Sequence, residues 1–210
     1  SVIMFNNMGM SKGDMAMYTS LLYLPWVVKP LWSPFVDLIR TKRWWVVTLQ
    51  IIMSAAFALL AFTLPHPSAE VIASASTPVS IFTLTLVIFW ITALASATHD
   101  IAADGFYMLA LPENEQSLFV GIRSTFYRLS SIFGQGVLVV IAGLLETRLG
   151  DIPRAWSLTL LVCACIFSAT TLWHIFRIPK PAADASRRSG DAMYIIKEFG
   201  RTFVTFFRKK

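Results

Sequence analysis

Long runs of apolar residues, separated by short polar turns, form the main pattern of this 210-residue chain. Most runs are about long enough for an α-helix to cross the roughly 30 Å hydrocarbon core of a bilayer. A membrane β-barrel would instead show segments of about ten residues with alternating apolar and polar positions. The pattern therefore predicts five membrane-spanning helices, over residues 15–36, 44–64, 80–111, 119–145 and 156–178.

The first and third predicted spans depart from a simple crossing helix. Pro25, Pro30 and Pro34 break the first, which a membrane tolerates because neighbouring helices can satisfy the freed backbone groups. The third is too long for one perpendicular crossing, so we expect it to tilt or to extend beyond the bilayer.

The composition excludes a soluble domain, and the distribution of charge limits which kinds of partner the chain can have. Hydrophobic residues make up 56% of the chain and charged residues 14%, with a mean hydropathy of +0.63. The net charge of +6 comes from basic residues at helix ends and in the tail, which is typical of membrane topology and not of nucleic-acid binding. We therefore predict an all-α polytopic membrane protein with the lipid bilayer as a partner and no nucleic acid.

The distribution of Lys and Arg predicts an orientation. Basic residues cluster at Arg40–Arg43 and again after residue 176, whereas the loop at residues 66–78 has none. Cytoplasmic loops carry the excess of positive charge. We therefore place residues 1–14 outside the cytoplasm and residues 179–210 inside it.

The tail forms a second region after the transmembrane bundle of residues 1–178. Residues 179–190 have the composition of a linker. Apolar residues then follow helical spacing, which predicts an amphipathic helix over residues 192–207 on the inner membrane surface. A loop packed against other domains is the alternative interpretation.

Four charged residues lie within the apolar third and fourth spans: Asp100, Asp104, Arg123 and Arg128. Each charge at membrane depth costs roughly 2.5–3.5 kcal/mol on insertion scales, so such residues usually have a function. In an antiparallel hairpin of two helices, residues at equal depth can contact each other. This rule predicts the ion pairs Asp104–Arg123 and Asp100–Arg128. These charges either line a cavity, where they contact substrate or carry protons, or form ion pairs that hold the helices together and gate one end.

Lys29 also lies at membrane depth, about 12 Å of helix rise from Asp37. It either pairs with Asp100 or binds an anionic substrate. His99 is a candidate proton relay or, alternatively, a hydrogen-bonded packing residue. The candidate substrate contacts are Lys29, Arg128, Tyr23, Trp26 and Tyr127. Of these, Tyr23 and Trp26 either face a sugar-binding cavity or pack against other helices.

The sequence contains no nucleotide-binding loop, metal-ligand spacing or nucleophile motif. We therefore predict no enzymatic activity, no cofactor and no metal site.

Several segments resemble AmpG-type muropeptide permeases of the major facilitator superfamily. The resemblance rests on Leu22–Asp37, on Ala97–Asp104 with its two aspartates four residues apart, on Leu111–Glu113 and on Tyr127–Leu129. It implies a fold of twelve helices in two halves, to which this chain contributes helices two to six and most of the central linker. The first helix and the C-terminal half would then be partners that belong to the same transporter.

The resemblance also implies a function. Members of that family import anhydro-muropeptides or related solutes across the bacterial inner membrane, usually with protons. Asp100 then serves proton coupling with His99, and Asp104 with Arg123 stabilises the cytoplasmic gate. The gating loop corresponds to four residues: Asp37, Arg40, Lys42 and Arg43. A structural or signalling subunit without transport, and a facilitator that needs no proton, are the alternatives.

Overall fold

The computed structural model describes residues 2–74, 77–184, 197, 199–201, 204, 205 and 208, apart from the side chains of Asp37 and Leu38. Within these residues the regular secondary structure is helical. Four helical stretches are long and apolar enough to cross a membrane: Lys42–Thr63, Val79–Ala110, Glu113–Leu149 and Ile152–Arg177. The all-α class and the membrane-spanning character of the helices are as predicted.

The first forty residues form short helices. These are α1 (Val2–Asn7), α2 (Lys12–Leu21), α3 (Leu24–Val27), a 3₁₀ turn (Lys29–Leu31) and α4 (Ser33–Ile39). Pro25, Pro30 and Pro34 each lie in the first turn of a new element. Proline lacks an N–H and is pre-organised for the start of a helix. The span predicted over residues 15–36 is therefore broken completely, and no single helix crosses there.

The remaining helices are longer. They are α5 (Lys42–Thr63), α6 (Ala69–Ala73), α7 (Thr83–Ala110, after a 3₁₀ turn at Val79–Phe82), α8 (Glu113–Ile132), a π-helical segment (Phe133–Val137), α9 (Leu138–Leu149) and α10 (Ile152–Arg177). The predicted turn at residues 112–118 is much shorter in the structure, because Pro112 ends α7 and directly precedes α8.

Helix α5 packs along both α7 and α10, and α10 also packs on α9. We call the end of this bundle that carries Arg40–Arg43 and Arg177 the basic end. The main hydrophobic core lies at the opposite end, where Met4 and Phe5 of α1 are 1% and 0% exposed. The N-terminal segment, which the sequence predicts to lie outside the cytoplasm, thus includes a helix whose side chains enter the core.

The tail beyond α10 returns to the basic end. Phe199 stacks on Phe35 of α4 with ring centroids 4.5 Å apart, and the described residues between 197 and 208 are helical. Most of the amphipathic face predicted for residues 192–207 lies outside the described residues: Ile195, Ile196, Phe203, Phe206 and Phe207.

Candidate functional site

Four charged side chains from three elements meet inside the bundle and form what we call the charge cluster: Lys29, Asp100, Asp104 and Arg123. Lys29 forms an ion pair with Asp100. Arg123 pairs with Asp104 through Nη1 and with Asp100 through Nη2, whose distance to the carboxylate oxygen is 2.5 Å. The cluster contains two cations and two anions, so its charges cancel.

The cluster includes two contacts expected from the sequence, Lys29–Asp100 and Asp104–Arg123. The expected pair Asp100–Arg128 is wrong. Asp100 and Arg123 are each ten residues from the helix end that flanks the turn, Ala110 and Glu113 respectively, and therefore lie at the same depth. The two-residue turn shifts the register of the hairpin by about one helical turn from the predicted one.

Arg128 lies five residues, about 1.4 helical turns, deeper than Arg123 and has no ion pair among the described residues. Its side chain is exposed, and so is that of Tyr127, at 73%. No residue of α8 is buried, whereas α5 has eight buried residues. The face of α8 that carries Arg128 is therefore not covered by the described chain.

The 3₁₀ turn after α3 positions Lys29. This turn packs against α7, so the Lys29 side chain reaches Asp100 while it remains 24% exposed. Its ammonium also lies 5.1 Å from the centre of the Trp26 ring, which is within cation–π range. Tyr23 and Trp26 are 71% and 41% exposed, so the two predicted substrate contacts lie on an open surface beside Lys29.

The candidate gating residues lie at the basic end. Arg40 stacks over Trp44 at 5.8 Å, and Arg43 donates to the carbonyls of Ile175 and Ile178 at the end of α10. The side chain of Lys42 passes Gly105 of α7. Asp37 falls within α4, but its side chain lies outside the described residues.

A second polar group, which the sequence did not predict, joins α5, α7 and α10. Nε2 of Gln50 lies 3.2 Å from Nε2 of His99 and 2.8 Å from Nδ1 of His174. One turn away, the hydroxyl groups of Ser54 and Thr171 are 3.4 Å apart. We call Gln50, His99 and His174 the histidine–amide group.

The spacing of polar residues could have indicated this group. Gln50 and Ser54 are four apart in one apolar span, and Thr171 and His174 are three apart in another, so each pair shares a helix face. His174 lies near the end of α10, and its imidazole is hydrogen-bonded to Gln50.

The arrangement of the charge cluster permits exchange of partners. Lys29 has one carboxylate partner in the described residues, whereas Asp100 has two cationic partners. Loss of the negative charge on Asp100 would leave Lys29 without an ion pair, while Arg123 would keep Asp104. Among the described residues, no group of three His, Cys, Asp or Glu side chains is placed to hold a metal ion.

Neither a protein-family model nor a solved structure matches this chain. The roles of the individual site residues therefore stay predictions that rest on geometry and on the sequence resemblance.

Proposed function

We propose that the chain belongs to a proton-coupled secondary transporter of the bacterial inner membrane that imports an anionic sugar-peptide or a related solute. The charge cluster is the observation that carries this proposal, together with the exposed Arg128, which has no ion pair among the described residues. Intramembrane charges of this kind usually belong to substrate or proton pathways. The resemblance to AmpG-type permeases and the four apolar helices support the same function.

Asp100 is the proton-coupling carboxylate in this proposal. While Asp100 is ionised, it holds Lys29 in an ion pair. When Asp100 takes up a proton, Lys29 loses that partner and becomes available to an anionic group of the solute. Proton binding and solute binding are then linked, because each is favoured by the same broken ion pair.

Arg128 supplies a second attraction for the anionic group. The exposed aromatic rings of Tyr23, Trp26 and Tyr127 can contact sugar rings or apolar parts of the solute. An arginine on a lipid-facing surface would be costly, so the uncovered face of α8 is better suited to a polar cavity between two halves of a transporter.

The basic end is cytoplasmic in this proposal. Arg40, Lys42 and Arg43 form the gating loop with Asp37, and Asp104 with Arg123 holds the adjacent hairpin closed. Alternating access would then move this half of the transporter against the other half.

A structural or signalling subunit without transport is the second candidate, and the cancellation of charge in the cluster favours it. In that case the ion pairs serve only to hold the 3₁₀ turn at Lys29–Leu31, α7 and α8 together. Reversal of the whole cluster, with Lys29→Asp, Asp100→Lys, Asp104→Lys and Arg123→Asp, would then preserve the function of the subunit.

Solute uptake by the full-length protein in vesicles tests the proposal. We expect accumulation of anhydro-muropeptide when a proton gradient is imposed, and loss of accumulation after a protonophore is added. Uptake that only equilibrates and ignores the protonophore would identify a facilitator. Absence of uptake of any sugar-peptide, by a protein shown to be folded, would contradict the proposed function.

A further inference from the structure

Polar residues line one side of α8 along its whole length. We call Ser117, Ser124, Arg128, Ser131 and Gln135 the polar stripe. Successive members are separated by seven, four, three and four positions, and such spacings return to the same face of a helix. The polar stripe continues from α8 into the π-helical segment and covers about 27 Å of helix rise, close to the thickness of a hydrocarbon core.

A second side of α8 is apolar. Leu118, Ile122 and Leu129 are separated by four and seven positions, and their side chains are between 46% and 67% exposed. Arg123 lies on a third side, where it reaches the carboxylates of α7. Because no residue of α8 is buried, the described chain covers neither of the first two sides. Lipid suits the apolar side, whereas the polar stripe requires water or polar groups.

The polar groups of the stripe are open to a ligand. Ser131 is half-buried, and the other four members are exposed. Among the described residues, Arg128 has no ion pair and the amide of Gln135 has no hydrogen bond. The hydroxyl of Ser131 donates to the carbonyl of Tyr127, so its oxygen remains able to accept a hydrogen bond.

The charge of the stripe indicates what it binds. Arg128 is the one charged member, and the three serines and Gln135 are neutral hydrogen-bonding groups. Gln135 lies about 10 Å further from the basic end than Arg128, and Ser124 lies on the other side of Arg128. A polyanion would leave charges unpaired along this stripe. A solute with one anionic group and hydroxyl or amide groups on both sides of it matches the stripe.

We propose that the polar stripe binds the solute, with Arg128 on its one anionic group and the amide of Gln135 on a neutral part that carries hydroxyl or amide groups. Gln135 then determines specificity, because a solute must extend beyond its anionic group to reach both side chains. The choice of solute rests on the proposed function, whereas the exposure of the polar stripe to water does not.

Cysteine labelling of the full-length protein in liposomes tests that exposure. The variants Ser124→Cys and Gln135→Cys report on the polar stripe, and Ile122→Cys and Leu129→Cys on the apolar side, in a protein whose native cysteines are changed to alanine. A charged thiol reagent, added on both sides of the membrane, reacts with the thiolate, which forms in water and not in lipid. We expect labelling of the stripe to be about 10-fold faster or more. Labelling of the stripe that is no faster than that of the apolar side would overturn the proposal.

Protection from labelling tests the binding of solute. Ser131→Cys places the thiol between Arg128 and Gln135, and anhydro-muropeptide at a saturating concentration should slow its labelling by about 3-fold or more. Adenosine diphosphate, a polyanion, should leave the labelling unchanged. Labelling that anhydro-muropeptide does not slow, or that adenosine diphosphate slows equally, would overturn the assignment of the ligand.

Uptake kinetics test the role of Gln135. Gln135→Met removes the amide and keeps the side chain similar in size. The KM for anhydro-muropeptide should rise about 3–10-fold with kcat nearly unchanged, because a hydrogen bond to the bound solute is lost. Thr147→Val is the matched control, since this exposed hydroxyl of α9 bonds the carbonyl of Gly143 in its own helix, and both constants should stay the same. An unchanged KM in Gln135→Met would overturn the specificity role.

Uptake measured on the same preparations keeps the two proposals apart. Uptake by a protein whose polar stripe is neither labelled preferentially nor protected overturns only the role of the stripe. Protection of the stripe in a protein that moves no solute overturns only the proposed function. The absence of both uptake and protection overturns both.

Discussion

Arg123 and Arg128 show at the level of single residues that the same residue type on one helix can have two different roles. Arg123 connects two carboxylates, whereas Arg128 has no ion pair among the described residues. Arg128 follows Arg123 by five residues, which places it on a different face of α8, so the position of each residue on the helix decides which role it takes.

This difference predicts that substitution of Arg123 lowers stability, whereas substitution of Arg128 lowers solute uptake and leaves stability nearly unchanged. Arg123→Gln leaves Asp104 without its partner and should lower the free energy of unfolding by about 1–3 kcal/mol, less than for a fully buried pair because the side chains are partly exposed. Arg128→Gln removes no ion pair and should leave stability within about 0.5 kcal/mol while it reduces solute uptake. Denaturant unfolding and uptake, measured on both variants, check the pair of predictions.

A stability loss with Arg128→Gln as large as that with Arg123→Gln would mean that Arg128 has a stabilising partner, and its place in the substrate cavity would be wrong.

The sequence predicts which residues carry the charges of the cluster better than it predicts which of these residues pair. Lys29, Asp100 and Asp104 could be singled out because each is a charged residue within an apolar run. The partner of Asp100 depends on the length of the turn at Leu111–Pro112, and an error of a few residues there exchanges Arg128 for Arg123. Gln50 was overlooked because the polar face that it forms with Ser54 does not reveal which residues of another helix lie opposite it.

At the level of elements, the start of α5 depends on the tail. The carboxylate of Asp184 accepts hydrogen bonds from the backbone N–H groups of Lys42 and Arg43, at 2.7 and 3.0 Å. The hydroxyl of Thr41 accepts the next one, from Trp44, at 3.1 Å. The N–H groups that begin a helix have no partner within it, so a residue more than 140 positions away in sequence completes this cap.

Asp184→Ala should therefore loosen the start of α5. We expect faster hydrogen exchange at the amides of Lys42 and Arg43, equivalent to a local loss of about 0.5–2 kcal/mol. Asp151→Ala is the matched control, since it removes the cap at Arg154 of α10 and should leave the exchange of both α5 amides unaltered. Unchanged exchange at Lys42 and Arg43 in Asp184→Ala would show that the tail does not support this helix.

The N-terminal segment supplies a second element that sequence patterns do not predict. Residues Val2–Asn7 are too few to form a spanning helix, yet Met4 and Phe5 enter the core at the end opposite the basic end. Gly9 then turns the chain with a φ of +79°, where a Cβ would lie 2.8 Å from the Cα of Ile72. Such tertiary packing follows from the arrangement of the other helices and not from local periodicity.

Glycine substitutions measure how tightly this segment is held. Gly9→Ala combines a left-handed backbone with a backbone clash and should cost about 3 kcal/mol or more. Gly150→Ala has a φ of +64° in open space and should cost about 1–2 kcal/mol. Gly143→Ala, within a helix and with no atom nearby, should be neutral or slightly stabilising. Denaturant unfolding of the three variants checks this order, and equal effects of Gly9→Ala and Gly150→Ala would contradict the packing described for Gly9.

At the scale of the whole molecule, the two ends of the bundle differ. The hydrophobic core, the N-terminal helix and a hydrogen-bonded cluster of Glu146 with Asn7 and Trp156 hold the end opposite the basic end. The charge cluster lies between the ends, and no residue of α8 is buried in the described chain. A tightly packed end combined with a helix that the described chain leaves uncovered is the asymmetry expected if this unit works against a second one.

The central claim is that Asp100 couples proton movement to solute movement, and one measurement tests it directly. External pH is recorded when anhydro-muropeptide is added to vesicles that contain the full-length protein, its Asp100→Asn variant or its Asp151→Asn variant. Asp151 lies outside the charge cluster and caps the start of α10. We predict solute-dependent proton movement with the unmodified protein and with Asp151→Asn, and none with a folded Asp100→Asn protein. Proton movement that persists in Asp100→Asn would contradict the claim.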